Sequence, residues 1–299
     1  MIAFHSDQFE LPLPEGHRFP MAKYERLRRR LAANRAIELR VPEPATDSQL
    51  LTAHEPDYLA RVKEGRLTRE EVRRIGFPWS PQMVERSRRS VGATLSAARV
   101  ALQQGVAVNL AGGTHHAMAG RGQGYCVFND AGVTIGTLRE EGLISRAVVW
   151  DCDVHHGNGT AAIFAADEET FTISLHGAKD FPAKKPPSDL DFPLPPGTGD
   201  RDYLASLRIA AAALADRPRP DLLIYLAGAD PLASDALGSL SLSKGGLLQR
   251  DRIVLETAAE RRIPVAIAMA GGYSPRIDDI VDVHEATVKL AATFAHPAT

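Results

Sequence analysis

The sequence predicts an α/β protein built on a single open parallel sheet flanked by helices. Two observations predict the class: short, continuously apolar runs recur along the chain, and segments with helical spacing alternate with them. A third locates the chemistry, because these runs deposit His, Asp or Tyr just beyond their carboxyl ends. Continuous apolar runs suit strands covered on both faces, and strand alternating with helix gives βαβ units.

Taken in order, the first helical pattern begins near Met21 and carries the basic residues Arg26, Arg28, Arg29 and Arg30, which read as a solvated face. A longer helix spans residues 81–104, with Ser80 as its cap and Pro81 at its first position. The run 106–110 leads into Gly112-Gly113-Thr114-His115-His116. A helix over 129–141 precedes the run 147–150 and the cluster Asp151-Cys152-Asp153-Val154-His155-His156. The run 171–175 ends at His176, and the proline- and charge-rich stretch 179–196 reads as an irregular loop at the rim of the site. A helix over 200–216 leads to the run 222–226, which ends at Gly228-Ala229-Asp230. A helix over 246–262, the run 265–269 with Gly271-Gly272-Tyr273 behind it, and a helix over 282–294 complete the pattern. In open sheets of this kind, ligands sit beyond the carboxyl ends of the strands, so these clusters converge on one site.

Bulk properties exclude several classes. The 35 basic and 37 acidic residues nearly cancel, so no global field attracts nucleic acid or an anionic membrane. Two cysteines, Cys126 and Cys152, cannot form a disulfide framework and read as buried thiols of a reducing compartment. The first residues lack a basic region followed by an apolar stretch, and no run of about 18 apolar residues occurs. A cytoplasmic location without a membrane span is expected.

In an extended segment alternate side chains share a face, so Asp151, Asp153 and His155 can point into one pocket. Burying two carboxylates and an imidazole together is costly unless a cation joins them. Asp153 and His155 supply two ligands, and Asp230 at another strand end supplies a third. Three protein ligands leave the open position of a catalytic zinc, although the oxygen-rich set keeps iron(II) in competition. His115 and His116 suit acid–base work if each is oriented by a partner, with Asp151 serving one and Asn158 the other. Tyr273 can polarise a carbonyl opposite an attacking water, with Gly271 and Gly272 allowing the tight bend there. Asp230 is followed by Pro231 and Leu232, so the Asp-x-Asp pattern a second metal would require is missing, and one metal is expected.

These segments, with Gly124-Tyr125-Cys126-Val127-Phe128-Asn129-Asp130 and Ser174-Leu175-His176, resemble the zinc-dependent histone deacetylase family in ordered succession to Tyr273. The opening Pro14-Glu15-Gly16-His17-Arg18-Phe19-Pro20-Met21 and Asn158 most resemble its class IV branch and bacterial relatives. The resemblance implies one arginase/deacetylase-like domain over residues 1–299 that hydrolyses N-acyl-lysine. It implies Asp153, His155 and Asp230 as zinc ligands, and His115, His116, Tyr273, Asp151 and Asn158 as catalytic residues. Gly124, Tyr125, Phe181 and Leu237 would build an acyl-lysine tunnel, and Gly272 counts with these substrate-binding residues. A potassium ion would sit near Asp151, Asp153, His155, Ser174 and Leu175. Tyr125 departs from a common phenylalanine, and Asn158 from an aspartate. The neutral Asn158 stabilises imidazolium less, which makes His116 the expected base. The expected partner is an acyl-lysine peptide or protein, or a small acetylated amine such as an acetylpolyamine. A two-manganese ureohydrolase is disfavoured by Leu232, and a catalytically inactive acyl-lysine-binding scaffold is the reading of another class.

Overall fold

A computed structural model describes residues 1–295. Its strands are β1 (Ile2–Phe4), β2 (Glu38–Arg40), β3 (Val106–Asn109), β4 (Ala147–Asp151), β5 (Thr170–Gly177), β6 (Leu190–Leu194), β7 (Leu222–Leu226) and β8 (Val265–Ala268). The helices are α1 (Ala22–Leu31), α2 (Asp47–Leu51), α3 (Pro56–Lys63), α4 (Arg69–Ile75), α5 (Pro81–Gln104), α6 (Asp130–Glu140), α7 (Asn158–Phe164), α8 (Asp200–Ala215), α9 (Lys244–Glu260) and α10 (Ile277–Ala292). All eight strands pair in parallel, in the order β2-β1-β3-β8-β7-β4-β5-β6. The chain steps from β3 to β4 across the positions that β7 and β8 later fill, and such a switch in strand order opens a crevice at the carboxyl edge.

Alternation along the strands builds a core on each face. Val148, Trp150, Leu223 and Tyr225 pack on one side with residues of α8, α9 and α10. Val149, Leu222, Ile224 and Leu226 pack on the other with α5 and α6. A third cluster joins α2, α3 and α4 to the start of α5. Ser80 accepts from the Met83 amide at 3.0 Å and Pro81 opens α5, the cap that its sequence predicts.

Three expectations need correction. The stretch 179–196 is not irregular throughout, because residues 190–194 form β6. Its Pro193 lacks an amide and is accommodated because β6 is an edge strand. The basic residues of α1 are not simply a solvated face: Arg30 pairs with Asp278, Asp282 and Glu285, and Arg28 pairs with Asp7. The last helix begins at Ile277 rather than five residues later. Cys126 and Cys152 are buried and free, and among the described residues no helix is long and apolar enough to cross a membrane.

Candidate active site and metal centre

Four adjacent strands, β3, β8, β7 and β4, carry the site at their carboxyl ends. Asp153 and His155 follow β4, Asp230 follows β7, and the loop behind β8 closes over them. Backbone amides hold both carboxylates: Asp153 Oδ2 accepts from the Gly271 amide at 2.8 Å and its Oδ1 from the His155 amide at 2.9 Å, and Asp230 Oδ1 accepts from the Val154 amide at 2.9 Å. Asp153 Oδ1 and Asp230 Oδ2 face a common centre, where His155 Nδ1 lies 2.9 Å from the first and 3.3 Å from the second. A β-carbon on Gly271 would stand 1.8 Å from Asp230 Oδ2, so only glycine lets this loop approach.

The donor set fits a cation. One ligand atom from each of the three buried residues lies within 4.8 Å of the others. Burial, with the Asp153 carboxylate beside it, pushes Asp230 up to about 7. Burial opposes charge on His155, yet Asp153 and Asp230 hold its pKa well above the usual range. An excess of carboxylate around one imidazole needs positive charge, and a divalent ion supplies it with ligands of suitable type.

The loop after β3 brings both histidines to this centre. Asp130 pins that loop by accepting from the amides of Gly113 and Thr114, each at 2.8 Å. His115 Nδ1 then meets Asp151 Oδ2 at 2.6 Å, and His116 Nδ1 meets Asn158 Oδ1 at 2.8 Å. The two ring centroids lie 4.1 Å apart with the planes tilted by 42°, but their partners separate them electrically. Burial opposes protonation of His115, while Asp151 and Asp153 push its pKa up to about 9. Burial holds His116 well below the usual range, and positive charge on His115 and His155 adds to this. Asp151 thus favours the charged form of His115, whereas burial favours the neutral form of His116.

A chamber of about 330 Å³ opens above the centre, lined by His116, Gly124, Tyr125, His155, Phe181, Leu237 and Tyr273, with residues 73–76 at its mouth. Phe181 is 44% exposed and meets His116 edge to face at 4.8 Å. A β-carbon on Gly124 would lie 2.6 Å from His116 Cδ2, so the wall stays open only with glycine. Burial, then the Asp153 and Asp230 carboxylates, raises the Tyr273 hydroxyl well above its ordinary pKa, which keeps it a donor. Gly272 does not line the chamber with the others. Its α-carbon faces Ile280, and its carbonyl accepts from Lys23 at 3.4 Å.

Three supporting residues escape a reading of the sequence. Asp235 accepts from the Tyr273 amide at 2.6 Å and the Leu237 amide at 2.8 Å, fixing both chamber walls. Buried Lys23 lies 5.5 Å from the Tyr273 ring. Buried Arg250 donates to the carbonyls of Gly228 at 2.5 Å and Cys152 at 3.3 Å, tying the ends of β7 and β4 together. Lys23 and Arg250 act across long sequence separations, and Asp235 reaches the Tyr273 amide 38 residues away, so no local pattern marks these links.

A second trio, His156, His176 and Asp191, lies behind the first with its ligating atoms also within 4.8 Å. Here His156 Nε2 meets Asp191 Oδ1 at 3.2 Å, and His176 Nδ1 meets Ser174 Oγ at 3.0 Å.

The model of the histone deacetylase domain matches residues 17–288. The chain belongs to the histone deacetylase family. An uncharacterized protein of Picosynechococcus sp. is 41% identical over 95% of both chains. Histone deacetylase 2 of Arabidopsis thaliana is 31% identical over 86% of this chain and 70% of its own. A crystal structure of a histone deacetylase homologue complexed with SAHA superposes with a TM-score of 0.81 at 24% identity, over 97% of this chain and 83% of the other. That likeness shows the arginase/deacetylase fold, and family membership makes the chain a hydrolase of acetylated amides.

Proposed function

We propose that this chain is a metal-dependent lysine deacylase, of class IV-like type, that removes acetyl or longer acyl groups from lysine side chains. The observation that carries the reading is the split histidine pair, one bound to Asp151 and the other to Asn158, beside a three-ligand centre at the base of a narrow chamber. Asp153, His155 and Asp230 would hold zinc, with iron(II) its competitor, which supplies a Lewis acid and lowers the pKa of water when bound. The expected potassium ion is assigned to the strand ends at Asp151, Asp153, His155, Ser174 and Leu175, where Asp151 and Ser174 are register partners.

In this reading the acyl-lysine enters past Tyr125, Phe181 and Leu237, which strip water from its methylene chain. His116 accepts the proton of the attacking water at Nε2, because its Nδ1 is engaged with Asn158 and the ring is neutral. Tyr273 donates its hydroxyl hydrogen to the carbonyl oxygen as negative charge develops there. Cationic His115 stabilises that charge, and a protonated histidine of the pair delivers a proton to the departing amine. Deacylation of proteins or peptides is favoured over a scaffold role by this complete set of groups. The two buried thiols suit a reducing cytoplasm.

The deciding experiment is a panel of acetyl-, octanoyl- and myristoyl-lysine peptides with acetylated polyamines, assayed with and without a chelator. Hydrolysis of a lysine peptide, abolished by the chelator and restored by zinc or iron(II), is expected. A clear preference for the polyamines overturns the lysine assignment, and chelator-insensitive turnover overturns the metal.

A further inference from the structure

The chamber mouth carries a charge that the hydrolytic machinery does not need. Arg73 and Arg74, in the last turn of α4, line it. A helix dipole favours basic residues in a last turn, but it does not require them to face a binding chamber. Their position is fixed by backbone contacts to the chamber wall. The Gly124 amide donates to the Arg74 carbonyl at 3.0 Å, and the Tyr125 amide donates to the Ile75 carbonyl at 2.7 Å. Gly76, left-handed at φ +86°, lets the chain turn directly against the Tyr125 ring.

The neighbouring carboxylates do not cancel these cations. Asp180, beside Phe181, accepts from the amide and hydroxyl of Ser239. Asp235 is turned inward to the amides of Leu237, Gly238 and Tyr273. Among the described residues, Arg74 pairs only with Glu70, which is 76% exposed, and no ion pair engages Arg73. An exposed i,i+4 pair is weak and exchanges readily for another anion. Among the described residues, no acidic side chain lines the chamber.

We propose that Arg73 and Arg74 form a carboxylate-binding subsite at the chamber mouth, which selects acyl-lysine peptides with acidic flanking residues and turns away acetylated polyamines. The subsite deepens the deacylase reading and rests on it for the position of the lysine. A guanidinium offers paired donors that match a carboxylate, whereas a polyamine would bring its remaining ammonium groups against two like charges. Selection of this kind is electrostatic and weakens with salt.

The test compares kcat/KM for end-capped acetyl-lysine peptides with acidic, neutral or basic flanks, for free Nε-acetyl-lysine, and for acetylspermidine. The enzymes are the wild type, the Arg73→Glu/Arg74→Glu variant and the Arg73→Lys/Arg74→Lys variant. Binding of an acidic peptide lacking acyl-lysine is measured in parallel. The wild type should prefer acidic over basic flanks by about tenfold at low salt, and less at high salt. The preference should reverse in the glutamate variant and persist in the lysine variant. Equal acidic-to-basic ratios in wild type and glutamate variant, or a ratio indifferent to salt, overturns the subsite. Discrimination by free acetyl-lysine but not by the capped peptides assigns the carboxylate to the substrate's own terminus and overturns the flanking-residue claim. Charge-dependent binding of the inert peptide without hydrolysis of any substrate leaves the subsite standing and removes the reaction.

Discussion

His155 and His156 are neighbours in the chain, yet they belong to two clusters of opposite character. His155 joins Asp153 and Asp230, and His156 turns the other way to meet His176 edge to face at 4.6 Å beside Asp191. Both trios hold their ligating atoms within the same 4.8 Å. Proximity therefore does not distinguish them; the surroundings do. In the first, two buried carboxylates, oriented by the backbone amides of Val154, His155 and Gly271, each aim one oxygen at the centre. In the second there is a single carboxylate, about a quarter exposed, and it is engaged by the His156 ring and the Ser188 amide. The first cluster carries an excess of buried carboxylate that a cation would relieve, whereas in the second the His156–Asp191 contact joins the segment after β4 to β6.

The largest expected effect breaks the first trio alone. Asp230→Asn should lower bound zinc from one ion per chain towards none and reduce kcat/KM by at least about a thousandfold. Elemental analysis beside a deacylation assay checks this, and a wild type holding two ions would erase the contrast. Next come changes above the centre that leave the ligands intact. Tyr273→Phe should cost about 10²–10³ in kcat by removing a donor to the developing oxyanion. His116→Ala should cost about 10²–10⁴ by removing the base. Both should retain the metal, and a near wild-type rate in either cancels the role assigned to that residue.

These positions were legible in the sequence because each sits at the end of a continuous apolar run. The runs that became β3, β4, β5, β7 and β8 are long enough to read, and the groups behind four of them meet as expected. β1 and β2 have three residues each and show no periodicity, while Pro193 concealed β6. The supports were not legible for a different reason. Lys23 reaches carbonyls that lie 247 and 249 residues away, and Arg250 bridges two strand ends from a helix. Only the fold brings such partners together. Gly272, expected among the substrate-binding residues, stands apart from the chamber lining with its α-carbon facing Ile280.

A smaller effect sharpens the contrast inside the first cluster, between the Asp151-bound and Asn158-bound histidines. His116 must be neutral to accept a proton, so activity should fall as pH drops through its pKa. Burial and the neighbouring positive charges put that pKa below the ordinary histidine value, and the acid limb of kcat/KM should lie there. Asn158→Asp places a carboxylate beside the imidazole and favours its charged form, so the limb should move upward by about one pH unit. An unmoved limb would assign it to another group.

The smallest effect belongs to the second cluster. Asp191→Asn keeps an acceptor for His156 Nε2 but removes the charge behind the 3.2 Å contact. The carboxylate is partly solvated, so the loss of stability should be about 1 kcal/mol or less, read from the denaturant midpoint at unchanged slope. Metal content should stay at one ion per chain, because the first trio is untouched. If Asp191→Asn instead removed an ion, the second cluster would be a metal centre, and the exposed carboxylate would count for more than the hydrogen bonds that now engage it.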